Sequence, residues 1–357
     1  MEIHRLSGTT AVRGIVQRLR QNTSVFIPAI LVIVAATQWA TASNDAGISD
    51  SVGEPLSQKV EWLGVEVVTD RPKLAADIRS KILLSPHTTL DFPSENVGYK
   101  QWCDSVRETY PTALTSCSSV LMDGAKGYYV VQVEFTPQRV GKKTCNPGAP
   151  KLPQSLRALS DHHMELLQAS LMDNARAGSP LREFINDQGV LDYSTPALHE
   201  FSHSAHEEVR AHLRKVIAST NTCDATERTA AIRLMNWSGD MASSLRVGSK
   251  GILDEDGGVR NESTRLVGVF MGHLDNSALI DPLVHALCTQ LAYTSFTDRN
   301  KAANALLALA DQHPSSRNAI RNTCGPLVRQ RAFDGESISP QIQGAATNLW
   351  SVLEGRH

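Results

Sequence analysis

His199-Glu200-Phe201-Ser202-His203 is the stretch of this chain whose residue types and spacing could do chemistry. It reads H-E-x-x-H. On one unbroken helix two histidines at i and i+4 face the same way and can hold zinc, and the glutamate between them can serve as general base. His199 and His203 are then candidate ligands, Glu200 the candidate base, and Glu227, 24 residues after His203, the available third ligand. His206 and His212 lie close by, so incidental metal binding is a second reading of the same cluster.

Three features weigh against a catalytic zinc. The longer zinc-peptidase pattern places Gly and then His at three-residue steps after the second histidine, where this chain has His206 and Val209. Glu227 has no asparagine beside it. The repeat described below puts an inter-helix turn at 202–207, which would break the helix that the metal needs. On that basis the histidines, with His162-His163, are expected to be solvated, and no cofactor is expected. No G-x-S-x-G, Walker A or G-x-G-x-x-G pattern occurs. Asp254-Glu255-Asp256-Gly257-Gly258 is similar to a calcium loop but lacks its twelve-residue spacing and closing glutamate, so the turn is also expected to be solvated.

The elements that would carry these residues fall into two blocks. Val60–Val68 reads as a strand, 71–84 as a helix with Asp70 as N-cap, and 99–110 as a second helix. Residues 117–122 and 128–135 form a strand pair, with Tyr129, Val131, Val133 and Phe135 alternating with Val130, Gln132 and Glu134. This β-α-α-β-β order over 58–138 resembles the POTRA-type modules of bacterial envelope proteins. Dense Pro, Gly and Lys at 139–157 marks a linker, and from 158 to 357 the β signal is replaced by helical periodicity.

Within that second block Arg210, Arg260 and Arg299 each open an apolar helical stretch. Three, six and seven residues on come Leu213, Val216 and Ile217; Ser263, Leu266 and Val267; Ala302, Ala305 and Leu306. All are apolar or small and share one helical face. Ile217, Val267 and Leu306 are therefore expected to be equivalent and buried, and each arginine to reach an acid or carbonyl of the next repeat. The run Asp254–Arg260, an acidic turn followed by Val-Arg and an apolar helix, resembles the HEAT repeat, most nearly exported bacterial HEAT-like proteins. The expectation is an α+β module followed by an all-α, HEAT-like helical-repeat solenoid that binds a protein partner, with a zinc metallopeptidase built on His199, Glu200 and His203 as the alternative.

The N-terminus sets the compartment. Arg5, Arg13, Arg18 and Arg20 precede an apolar run from Val25 to Ala36, then Ala40-Thr41-Ala42. This describes a secretory signal over 1–42, with an uncleaved membrane anchor as the alternative, and a Ser/Gly/Asp-rich linker over 43–57. Cleavage would leave a mature chain more acidic than the formal −2 of the whole. That balance argues against nucleic-acid binding, which favours basic surfaces. The six cysteines form no C-x-x-C pair. Behind an export signal they permit disulfides, with Cys103 and Cys117 the best-placed pair, and Cys288 is expected to be a small buried hydrophobe.

Overall fold

The computed structural model describes residues 58–355, apart from 93–96, 123–125, 137–139, 142–144, 178, 180, 275–276 and 334–339. The expected leader and first linker lie outside the described residues. A small mixed sheet region comes first and is followed by many helices.

Four strands, β1 (Gln58–Thr69), β2 (Thr88–Phe92), β3 (Leu114–Met122) and β4 (Lys126–Glu134), lie in the order β2-β1-β4-β3. β1 runs antiparallel to β2 and parallel to β4, and β3 and β4 form an antiparallel hairpin. A register shift between Trp62 and Gly64 bends β1 beside β4; Gly64 has φ +155°, a conformation that side chains rarely adopt. Two helices, α1 (Ala75–Ser80) and α2 (Val97–Thr109), cover one face. Val60, Trp62, Ile78, Val106, Tyr129, Val131 and Val133 form the core beneath them.

Two expectations are corrected here. The helix expected over 71–84 is a single 3-10 turn followed by α1, and Leu83 is exposed. Asp70 does not cap it; its carboxylate accepts from the Phe135 and Thr136 backbone N–H groups and the Thr136 hydroxyl. β2 supplies a strand absent from the β-α-α-β-β reading. Its sequence, Thr88-Thr89-Leu90-Asp91-Phe92, is too short and polar for alternation to stand out.

The second block is built from α3 (Gln154–Ala177), α4 (Pro196–Ser219), α5 (Ala225–Leu234), α6 (Met241–Gly251), α7 (Gly257–Phe270), α8 (Ile280–Leu291), α9 (Phe296–Gln312), α10 (Ser316–Phe333) and α11 (Pro340–Leu353). Short turns join α4 to α5, α5 to α6, α6 to α7, α8 to α9 and α9 to α10. One row packs α5 on α7, α7 on α9 and α9 on α11; a second packs α6 on α8 and α8 on α10. A continuous apolar core fills the space between, from Leu152 to Leu353. The β signal does not end at 157. A two-stranded hairpin, β5 (Glu183–Ile185) and β6 (Leu191–Tyr193), stands between α3 and α4, and β6 is buried. Three-residue strands are too brief to declare a period of two.

The stretch expected to be a linker at 139–157 is tied to the end of α4. Cys145 is bridged to Cys223, Asn146 N donates to Asn221 O, and Ser219 Oγ donates to Pro150 O. Cys103 is bridged to Cys117, and Cys288 is bridged to Cys324 and not free as expected. Three disulfides point to an oxidising, extracytoplasmic environment. No helix among the described residues is long and apolar enough to cross a membrane.

Candidate functional site

The turn expected at 202–207 does not exist. Pro196 occupies the first turn of α4, where its missing N–H costs nothing. Leu198, Phe201, Ala205, Val209 and Val216 then recur at helical spacing and are buried, which holds the helix unbroken for 24 residues. His199, Glu200 and His203 consequently share its exposed side. His199 Nδ1 lies 2.9 Å from the carboxylate of Asp192, a buried residue of β6. Such a bond fixes the ring and leaves Nε2 facing outward.

The rest of the cluster has other partners. Glu227 accepts from Arg157 Nη1 at 2.7 Å and from Leu152 N at 3.2 Å. His206 is buried, with Nδ1 2.9 Å from Trp237 O. His212 Nδ1 lies 3.1 Å from Glu208 O in its own helix. No group of three His, Cys, Asp or Glu positioned for a metal ion occurs among the described residues.

The arginines are placed by a common local device, although not in the set expected. Arg210 sits in the middle of α4 and is exposed, and Ile217 is only partly buried. Arg228 takes the place given to Arg210. Asp224, Asp256 and Ser295 are the N-caps of α5, α7 and α9, each accepting from backbone N–H groups of its first turn. Four residues after each cap comes a buried arginine: Arg228, Arg260, Arg299. Each donates to the backbone carbonyl six residues before it, those of Thr222, Asp254 and Tyr293.

Each arginine also meets an acid. Arg228 Nε and Nη2 form a fork onto Asp254 at 3.0 and 2.8 Å. Arg260 forms one onto Asp298 at 3.0 and 2.7 Å. Arg299 donates to Glu134 on β4. A cation in the first turn opposes the helix dipole; the carboxylate and the carbonyl offset that cost. Within the acidic turn at 254–258, expected to be solvated, Asp254 is fully buried, whereas Glu255, Gly257 and Gly258 are exposed. Counted from Arg228, Arg260 and Arg299, the residues three, six and seven on are Ala231, Leu234 and Met235; Ser263, Leu266 and Val267; Ala302, Ala305 and Leu306. All nine are buried.

A polar network lies between α3, the hairpin and α5, α7 and α9. His163, expected in water, is fully buried; its Nε2 lies 2.9 Å from Tyr193 Oη, and its ring meets Trp237 edge-on. Burial, followed by the nearby charge of Arg265, holds the imidazole well below its usual pKa, so it is neutral. Arg265 donates to Tyr193 Oη and pairs with Glu183. Arg233 donates to Ser160 Oγ at 3.0 Å and pairs with Glu262 at 3.3 Å. Burial alone would raise the Glu262 carboxyl, but Arg233, Arg265 and Lys301 hold it below its ordinary value. Desolvation brings Lys301 down to about 8, against the pull of Glu262.

On the outside of the helices a groove of about 640 Å³ opens between the end of α4, α5 and α6. Ile217, Ile232 and Val247 form apolar parts of its wall, and the exposed Arg246 and Lys250 give it positive charge.

Sequence reasoning missed Arg228 because it aligned Arg210, which follows Val209 as Arg260 follows Val259, in its place. The signal that finds it is a capping residue with an arginine four positions later, a spacing shared by Asp224, Asp256 and Ser295. Nothing in the sequence marks His163 or Lys301 beyond residue type. No known protein family, curated protein or solved structure matches this chain.

Proposed function

We propose that the chain is an exported, non-enzymatic scaffold, a HEAT-like solenoid that holds a protein partner on its helical surface. The observation that carries the reading is the recurrence of cap, arginine and buried face at Arg228, Arg260 and Arg299. Stacked units of this kind bury a continuous core and leave extended surfaces for recognition. The three disulfides and the leader-like N-terminus suit a periplasmic or secreted location. An N-terminal segment left uncleaved would be the only contact with a membrane.

The groove beside α4 and α6 is the surface we assign to the partner. Its apolar wall suits an aliphatic or aromatic side chain, and Arg246 and Lys250 suit acidic neighbours. The partner segment in this reading is apolar and acidic, and the net charge of −2 disfavours nucleic acid. The test is capture from the exporting cell's envelope fraction, identification of the bound protein, and reconstitution with purified components. Arg246→Glu with Lys250→Glu should weaken the reconstituted complex by about tenfold or more and steepen no unfolding transition. Unchanged affinity in that variant would remove the groove from the interface.

The unbroken α4 supports a second reading, a zinc metallopeptidase with His199, His203 and Glu227 as ligands and Glu200 as base, in which Glu227 would have to leave Arg157 and the Leu152 N–H. Stoichiometric zinc in purified protein, with peptidase activity lost in Glu200→Gln, would establish it and displace the scaffold.

A further inference from the structure

Asp192 of β6 is buried, and three donors hold its carboxylate: the Tyr193 backbone N–H at 2.7 Å, Asn186 Nδ2 at 3.3 Å and His199 Nδ1 at 2.9 Å. The last of these belongs to an exposed side chain on the neighbouring helix α4. A carboxylate accepts and does not donate, so the contact puts the imidazole proton on Nδ1 and leaves the lone pair on Nε2. No hydrogen bond engages that Nε2 among the described residues. Histidines that ligate metals almost always donate their second nitrogen to a carboxylate, a carbonyl or water in this manner.

His203 follows one turn later on the same unbroken helix and is also exposed. Cβ atoms four residues apart on a helix lie about 5–6 Å from each other, and helical side chains lean toward the N-terminus. The His203 side chain therefore leans toward the turn that carries His199. The backbone between them is pinned by Phe201 and Ser202, both buried, and Ser202 Oγ accepts from Trp237 Nε1 at 3.2 Å. No hydrogen bond engages the His203 ring among the described residues. One imidazole is thus preset and its neighbour is free to turn onto the same ion. Imidazole nitrogen suits zinc, copper and nickel, whereas magnesium, calcium and manganese favour oxygen.

We propose that His199 and His203 bind one zinc, copper or nickel ion as a two-histidine site on the outside of α4, with Asp192 as the residue that positions His199 and water in the remaining coordination positions. The ligand set differs from that of the metallopeptidase: Glu227 stays with Arg157 and the Leu152 N–H, and Glu200 takes no part. The site is independent of the groove assigned to a protein partner, which opens at the other end of α4. Because the ion draws on a ring held by β6, it ties the β5–β6 hairpin to α4 and stabilises the folded chain by mass action.

The test is calorimetric titration of the metal-free full chain with zinc, with magnesium as the control. Zinc should bind once per chain and raise the melting temperature, and magnesium should do neither. His199→Gln and His203→Gln should each weaken zinc by more than about tenfold, since losing a ligand costs more than losing an outer-shell partner, itself about 10–100-fold. Both side chains are exposed, so neither change threatens folding. Glu200→Gln and Glu227→Gln should keep the native affinity. Nitrogen-resolved NMR of the histidine rings on the native chain should show His199 protonated at Nδ1 without metal and zinc at its Nε2; Asp192→Asn should lose that tautomer preference together with affinity. If Asp192→Asn does not fold, the native spectrum still decides. Zinc uptake that survives both histidine substitutions is adventitious binding elsewhere and overturns the proposal, as does the absence of uptake. A loss in Glu227→Gln equal to that in His203→Gln also overturns it and places the ion in the three-ligand peptidase site.

Discussion

Arg260 combines four roles in one side chain. It forks onto Asp298, donates to the carbonyls of Asp254 and Glu255, and stands 5.2 Å from the centre of the Tyr293 ring. Truncating it leaves Asp298 buried without its counter-charge, a change that typically costs about 3–5 kcal/mol. Arg260→Ala should therefore melt far below Lys250→Ala, whose exposed side chain should change stability by no more than about 0.5 kcal/mol. Equal melting temperatures would show that the arginine row contributes nothing. Lys301 belongs to the same scale and carries a pH signature. Its folded pKa, about 8, lies below the ordinary lysine value of 10.5. Between these limits the unfolded chain binds the proton that the folded one has released, so stability rises with pH through that window. The rise should be clearest from pH 8 to 10, before Tyr110, pushed up to about 12 by its bond to Asp77, favours unfolding as free tyrosines ionise. Lys301→Met should flatten the slope in urea titrations over pH 8–10; an unchanged slope would place the lysine in water.

At the scale of elements, α6 and α7 approach so closely that glycine is required. A Cβ on Gly248 would lie 2.7 Å from Val267 Cγ2 and 3.2 Å from the Ser263 carbonyl oxygen. Valine is stiff and a backbone oxygen cannot step aside. Replacing a helical glycine with alanine normally gains about 1 kcal/mol from propensity. Overpacking here costs about 1–3 kcal/mol, so Gly248→Ala should come out destabilising in chemical denaturation. A gain would mean that the two helices can separate freely. The same elements show what was legible beforehand. The helices from α6 to α9 were readable because Leu266, Val267, Phe270, Leu306 and Leu309 keep strict spacing. The extra strands were not, because three to five residues define no period. The turn placed at 202–207 was an error of register. Arg210 follows Val209 much as Arg260 follows Val259, but only the arginines that stand four residues after a helix cap are drawn into the core. Burial of His163 and of Glu134 depended on elements distant in sequence, and no local pattern carries that information.

For the whole molecule, the disulfides divide the stabilising task unequally. Cys145–Cys223 closes a loop of 78 residues, and Cys103–Cys117 one of 14. In the chain-entropy account the first constrains the unfolded state by about 4.5 kcal/mol and the second by about 3 kcal/mol. Paired serine variants should thus rank in that order in denaturant midpoint, with the Cys145/Cys223 variant the weaker. The reverse order would show that strain or residual unfolded structure outweighs loop length.

The ion pair between Glu134 and Arg299 has a consequence for how the chain is made. Its two members are 165 residues apart, so β4 leaves the ribosome long before its last neighbour exists. During that interval the hydrophobic face of the sheet can already be covered, because α1 and α2 are local and precede β4 or lie beside it. The other face waits in water and is mixed: Glu66, Gln132 and Glu134 stand on it beside Val68, Val120 and Val130. A face wholly of valines would invite association with another nascent chain more strongly. The polar pair Gln132 and Glu134 becomes a buried contact only when α9 arrives, so this contact forms after the whole sheet has been made.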